Sequence, residues 1–301
     1  MTVFARLSIP VQAVLILLTG IVLLDFMGAI VKTLLPKYSA QELSAYRNLL
    51  GMIPSLIMLS LTGEIRLSPR KLLIRQWPLA VMRGGFVALA QLAYYLSLGR
   101  LEFATVATLT YTMSLFVVAF SVPILGERVG FWRWVAVVLG FAGAVWIVRP
   151  GSDAFSLIAL LPLVAAALYA ASSVTVRLID REVSNALLYL YSALSAAIGA
   201  TVLALLTSGF SGIHSVNDLG LIVAMGLFGG TGVLCLMVSM RLISPSFLAP
   251  FNYFGILSAL AVGWLIFGEA PVDTLFPGVL LIVAGGMVVI WRERRRAKAR
   301  S

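Results

Sequence analysis

Residues 124–148 read ILGERVGFWRWVAVVLGFAGAVWIV, and residues 266–290 read IFGEAPVDTLFPGVLLIVAGGMVVI. Set at an offset of 142, the two segments align without a gap: Gly126 and Glu127 fall on Gly268 and Glu269, and Ala142 and Gly143 on Ala284 and Gly285. The match extends over 103–149 and 245–291, where Tyr111 meets Tyr253, and back to Ser97 on Ser239. The earlier parts of each half match at an offset of 145, where Lys32 falls on Arg177 and Ser39 on Ser184. The chain therefore reads as one unit used twice.

Composition says what medium those units occupy. Of 301 residues 61% are hydrophobic and 11% charged, with a mean hydropathy of +1.04; a soluble domain carries roughly 25% charged residues. Too little charge remains to cover a water-facing surface, so the chain is expected to be an integral membrane protein. Apolar runs bounded by charge, Gly and Pro predict ten helices, at 10–35, 41–61, 77–98, 103–124, 132–148, 156–176, 186–206, 219–242, 246–267 and 274–291. Barrel strands would alternate over about ten residues, and the first run is too long for a signal peptide.

Each unit thus holds five spans. Five is odd, so the second unit must enter the membrane upside down relative to the first. Inverted repeats about an axis in the membrane plane are the architecture of alternating-access carriers, with the substrate site near the midplane where the halves meet. The expected fold is all-α, with ten transmembrane helices around a central cavity: residues 1–150 form one repeat, 151–291 the inverted one, and 292–301 a basic tail.

The net charge of +10 is an orientation signal rather than a mark of nucleic-acid binding. With the N-terminus inside, the cytoplasmic segments hold 16 Lys and Arg residues, six of them (Arg292, Arg294, Arg295, Arg296, Lys298, Arg300) in the tail. The outer loops hold three, Lys37, Arg100 and Arg149; Lys32, Arg47 and Arg83 lie at or near membrane depth. Both termini are expected in the cytoplasm. Trp77, Trp132, Trp134, Trp146 and Trp291 fall at helix ends, as an aromatic belt should.

The five-plus-five pattern, the L-G-E turn at 125–127 and F-G-E at 267–269, the A-G pairs at 142 and 284, and Arg47 in the second helix resemble the drug/metabolite transporter superfamily. Within it the sequence is similar to the EamA-type ten-span exporters, the YddG-type among them. That resemblance implies export of amino acids, aromatic ones included, from the bacterial cytoplasm through the inner membrane.

Ionisable groups at membrane depth are functional candidates by default. Asp25, halfway along the first helix, shares a face with Gly28, Ala29 and Lys32. Its carboxylate would attract a substrate ammonium or carry a proton, or else serve as a structural partner of Lys32 or Arg83. On the third helix Arg83 and Tyr94 lie three turns apart on nearly one face, flanked by Gln91 and Tyr95. An amino acid needs an anion-binding donor, an ammonium acceptor and an aromatic-lined slot, and this face supplies part of each unless Arg83 snorkels to headgroups. Arg47 reads as a structural or gating residue. Tyr111 and Tyr253, with Thr108 and Asn252 beside them, suit either cavity lining or packing between halves, and Pro250 withdraws a backbone N–H nearby. Tyr169, Ser172 and Ser173 share a face of the sixth helix, and Gly229, Gly230 and Gly232 suggest close backbone approach in the eighth. Ala136, Gly140 and Ala144 form a small-residue stripe suited to helix packing, within or between protomers. The chain reads as consistent with monomer or homodimer.

Competing functions are narrowed by what is missing. Cys235 and His214 are single, so thiolate clusters and His-paired metal sites are excluded, and no metal or cofactor is expected. No G-x-x-x-x-G-K-[ST] segment encodes ATP-driven transport, and no H-E-x-x-H motif or Ser–His pairing encodes an enzyme. A phosphorylated-sugar carrier would need several midplane Lys or Arg residues. The expected function is secondary export of amino acids, with proton-coupled export of cationic drugs or other small metabolites as the alternative; the partners are a small-molecule substrate and membrane lipid.

Overall fold

A computed structural model describes residues 8–61, 74–126, 130–148, 156–180, 182–243, 248, 251–285 and 287–288. Glu127, Pro250, Trp291, the tail arginines and most of the basic residues between the second and third helices lie outside the described residues, as does the Ala136 side chain. The elements are all helical: α1 (Ile9–Leu34), α2 (Ala40–Leu61), α3 (Trp77–Leu98), α4 (Phe103–Thr110), α5 (Met113–Leu125), α6 (Phe131–Val148), α7 (Leu161–Thr175), α8 (Asn185–Thr207), α9 (Val216–Leu242), α10 (Phe254–Phe267) and the short α11 (Val272–Leu275). Residues 278–285 are helical again after the cis Phe276–Pro277 bond.

Six stretches among the described residues are long and apolar enough to cross a membrane: Ile9–Leu34, Trp77–Leu98, Phe103–Leu125, Leu157–Leu178, Asn185–Thr207 and Val216–Leu242. Shorter apolar helices cover Val137–Val148 and Phe254–Phe267. α2 has 22 residues, about 33 Å of helix, but Glu42, Arg47 and Asn48 lower its hydropathy. Polarity is arranged inside out. Asp25, Arg47, Asn48, Arg83 and Gln91 are buried, whereas Trp77, Trp132, Trp134, Trp146 and Trp264 face outward with a coat of Leu, Ile and Val. That is the distribution expected of a protein dissolved in hydrocarbon.

Local chemistry explains most boundaries. Pro10 opens α1, where its missing N–H has no partner to lose. The side chains of Ser184 and Ser215 accept the backbone N–H of Leu187 and Asp218, capping α8 and α9. α5 and α10 both end on a left-handed glycine, Gly126 (φ 66°) and Gly268 (φ 67°).

The fourth predicted helix is not continuous: a turn at Tyr111–Thr112 separates α4 from α5. There the Thr112 hydroxyl donates to the Leu109 carbonyl (2.6 Å), and the Thr112 backbone N–H takes the same carbonyl (3.1 Å) in place of the regular helical acceptor. The ninth is likewise interrupted, by a turn at Tyr253 just before α10. The tenth begins as the single turn α11 and resumes beyond Pro277, which has no N–H to continue it.

Packing joins the two halves of the chain throughout. α1 lies against α9 and α10, α2 against α8 and α9, α3 against α7 and α8, α5 against α7, and α4 against α10. Glycines bring the axes close. A Cβ on Gly230 of α9 would collide with the Gly51 carbonyl of α2, and one on Gly232 would stand 3.1 Å from the Gly20 carbonyl of α1. On the small-residue stripe of α6, Gly140 meets Leu115 of α5, and Ala144 is buried among Leu109, Ile147 and Leu275.

Candidate substrate site

α1 delivers Asp25 to the interior at mid-length, where it is only 6% exposed. The Ser258 hydroxyl of α10 reaches its carboxyl, but Oδ2 has no hydrogen-bond partner. Neither base that shares its surroundings in sequence pairs with it. Lys32 is taken by Glu269, and Arg83 donates from Nε to the Ser172 carbonyl (2.9 Å) and from Nη1 to the Ser192 hydroxyl (3.1 Å), stapling α3 to α7 and α8. Around Asp25 stand tyrosines. Tyr94 and Tyr111 both feel its charge. The Tyr94 hydroxyl lies against Gly28, one turn beyond Asp25, where a Cβ would stand 3.2 Å away. Tyr111 packs its hydroxyl onto Gly255 of α10, so only glycine fits there. Thr108, one turn before Tyr111 on α4, is fully buried with its Oγ1 unpartnered.

The second pole is Arg47 on α2, 4% exposed. Its guanidinium donates to Asn48 Oδ1 (3.0 Å), to the Gly229 carbonyl (3.2 Å) and to the Tyr189 hydroxyl (3.5 Å), all neutral acceptors, and Nε has no partner. Gly229 is small enough to let the guanidinium lie on the backbone of α9: a Cβ there would stand 2.7 Å from Nε. A buried amide lattice holds the arginine from behind. Asn48 Nδ2 donates to Gln91 Oε1 (2.6 Å), Gln91 Nε2 returns a bond to Asn48 Oδ1 (3.3 Å), and Ser44 donates to Gln91 Oε1 (2.9 Å). Gln91 thus holds Asn48, whose Oδ1 also accepts from Arg47. Tyr95 and Tyr169 lie within electrostatic reach of Arg47, and Tyr94 within reach of both tyrosines. The Tyr94 and Tyr95 rings are 6.1 Å apart, so a run of phenols stretches between the acid and the base.

The remaining candidates stand apart. Ser172 is committed to Arg83 through its carbonyl. Tyr253 packs among Ala104, Leu109, Ala144 and Ile147, with its hydroxyl near Ser114. Asn252 is half-buried on helical backbone just before the Tyr253 turn. Arg47, which the sequence reads as structural or gating, meets Gly229 and Tyr189 of the second half of the chain, a contact that its depth alone does not disclose, and Ser258, a polar residue in an apolar run, is too ordinary to single out.

A multi-pass helical bundle that buries unlike charges at mid-helix, where several helices cross, has the construction of a membrane transporter. Residues 11–149 match the EamA-like transporter family. It is 30% identical over 192 residues to the riboflavin transporter of Rhizobium johnstonii, a match that spans 63% of this chain and 62% of that protein. It is 27% identical over 264 residues to the pseudopaline exporter CntI of Pseudomonas aeruginosa, covering 86% of this chain and 89% of the exporter. The S-adenosylmethionine uptake transporter of Rickettsia felis is 24% identical over 214 residues, 70% of each chain. A solved crystal structure superposes with a TM-score of 0.67 over 94% of this chain and 98% of that one, at 20% identity, a likeness of fold. Family and relatives are those of small-molecule transporters rather than enzymes.

Proposed function

We propose that the protein is a secondary transporter that exports amino acids, aromatic and other neutral ones, across the bacterial inner membrane by alternating access of two inverted five-helix repeats. The observation that carries the reading is the separation of Asp25 from Arg47. Two buried, unlike charges would gain greatly by pairing with each other, yet each keeps an unpartnered polar atom and tyrosines stand between them. A zwitterion satisfies both: its ammonium neutralises Asp25, its carboxylate the guanidinium, and its ring stacks among Tyr94, Tyr95 and Tyr169. Arg83 stays outside this scheme, because its Nε and Nη1 tie α3 to α7 and α8.

The inverted layout is supported by the pattern of helix contacts. Exchanging the halves turns α1 on α9 into α7 on α3, α2 on α9 into α8 on α3, and α1 on α10 into α7 on the α4–α5 span; α2 on α8 and α4 on α10 map onto themselves. Every member of that set is a contact the molecule makes. The helix interruptions at Tyr111 and Tyr253 and the left-handed caps Gly126 and Gly268 occupy equivalent positions. A cytoplasmic N-terminus is supported by the 16-to-3 division of basic residues.

The test is counterflow in proteoliposomes preloaded with single amino acids, with and without a pH gradient. Accelerated exchange is expected for aromatic and other neutral amino acids; no acceleration with any amino acid overturns the substrate class. A second reading, proton-coupled export of an organic cation, is favoured by the orphaned Oδ2 of Asp25. Asp25→Asn separates the two. On the zwitterion reading it removes the ammonium's counter-ion and lowers amino-acid exchange thirtyfold or more, the effect of about 2–5 kcal/mol for truncating a buried charge pair. Intact amino-acid exchange with lost cation efflux establishes the second reading instead.

A further inference from the structure

Glu269 follows the left-handed Gly268 at the end of α10, and that reversal folds its side chain back over the bundle. Its two carboxylate oxygens do different work. Oε1 takes the ammonium of Lys32, at the end of α1, and Oε2 accepts the backbone N–H of Phe103, the first residue of α4 (2.8 Å). Lys32 also donates to the Leu101 carbonyl (3.0 Å) and lies over the Phe267 ring, 5.1 Å from its centroid. One carboxylate thus ties together the ends of three helices, two from the first half of the chain and one from the second.

Those same three helices carry the acid pole of the site. Asp25 lies seven residues inward of Lys32 on α1, Thr108 five residues from Phe103 on α4, and Ser258 nine residues from Phe267 on α10, which corresponds to roughly 7–14 Å along each axis. Between the knot and Asp25 lie aromatic rings. Phe103 is fully buried, its ring 6.1 Å from Phe267 and its edge against Gly28, where a Cβ would stand 3.0 Å from Cε2. The arrangement is a charged clasp above an apolar plug above the acid.

The geometry points to a gate: Lys32 and Glu269, with the Phe103 N–H, form the outer latch of the transport path, and release of substrate to the exterior requires Glu269 to leave both partners at once. The inference rests on the carrier and orientation reading above. The side chains are 15% and 24% exposed, so water reaches the pair and its strength is that of a reversible contact rather than a permanent staple. Because a single carboxylate holds both α1 and α4, opening is all-or-none at this point. A substrate bound at Asp25 would favour release by pushing on the two phenylalanines beneath the clasp.

The test reads exposure of the site and needs no knowledge of the substrate. A reporter thiol, Ser258→Cys in a Cys235→Ser background, is labelled with a membrane-impermeant maleimide in right-side-out and in inside-out vesicles. Glu269→Gln should raise outside labelling about tenfold, a shift of the closed-to-open equilibrium by about 1.4 kcal/mol. The charge exchange Lys32→Glu with Glu269→Lys restores the ion pair but not the acceptor for the Phe103 N–H, so it should return the rate only part of the way to the parent value. As a variant that does not depend on weakening the fold, Lys32→Cys with Glu269→Cys, oxidised to a disulfide, should abolish outside labelling at position 258, read by mass spectrometry of the peptide that carries it, and reduction should restore labelling at that position. Unchanged labelling in Glu269→Gln, or undiminished labelling in the cross-linked protein, overturns the latch. Acceleration confined to inside-out vesicles overturns its placement at the exterior. Failure of the amino-acid assignment leaves all of these rates untouched.

Discussion

At the scale of single residues, the informative contrast is between three arginine and lysine side chains that all sit at or near membrane depth. Lys32 is neutralised by a carboxylate, and both arginines meet neutral acceptors, but Arg83 ties α3 to α7 and α8 whereas Arg47 keeps a buried Nε without a partner. A fixed planar fork suits that last position, because its arms reach Asn48, Gly229 and Tyr189 at once while Nε is left without a partner. Arg47→Lys keeps the charge but loses the fork. Its apparent affinity for an amino acid should fall about tenfold, roughly 1.4 kcal/mol, while competition by the corresponding amine, which has no carboxylate, should stay as in the parent protein. Equal loss for acid and amine would remove Arg47 from substrate recognition. The sequence made Asp25 legible, since an acid in a run of Leu, Val and Met has few innocent explanations. It made the choice between Arg47 and Arg83 illegible, since both are arginines in apolar helices and only the acceptors that other helices bring to them, from 89 to 182 positions away, tell them apart.

At the scale of helices, what holds the bundle together is close backbone approach rather than hydrophobic collapse, because lipid is as apolar as the side chains it would replace. α9 is the test case. Its Gly230 faces the Gly51 backbone, and neither main chain can yield, whereas Gly220 on the same helix has open space where a Cβ would go. Gly230→Ala should therefore destabilise the α2–α9 crossing by about 1–3 kcal/mol, the usual cost of overpacking, and lower the melting temperature in detergent. Gly220→Ala should leave the melting temperature unchanged, and equal effects from the two would show that α9 is not held by this contact. The existence of most helices was legible from apolar run length alone. Their interruptions were not: the turn at Tyr111–Thr112 is set by a threonine hydroxyl competing for a carbonyl, a contest that hydropathy does not register. α2 shows the opposite limit, since its polar residues lower its hydropathy because they serve the interior.

At the scale of the molecule, the parity of the spans in each half decides which loops share a side. A unit with an even number of spans would re-enter the membrane in the same sense, and its repeat-equivalent loops would share a side. A unit with five must place every equivalent pair on opposite sides. Helix contacts alone leave the side of each loop open, but equivalent positions make it measurable. Lys37 is followed at the offset of 145 by Glu182, and Gly126 at the offset of 142 by Gly268. Alkaline phosphatase fused after Lys37 or Gly268 should be active, because the enzyme matures only outside the cytoplasm. Fusions after Gly126 or Glu182 should be inactive there and fluorescent when the reporter is a fluorescent protein that folds only inside. The basic residues give the absolute sense of this pattern, and the repeat gives its alternation, so the two can fail separately. If all four reporters invert together, the orientation drawn from 16 against 3 basic residues is wrong while the inversion stands. If either equivalent pair reports the same side, the second half is not inverted, and a site exposed alternately by two opposed halves loses its structural basis.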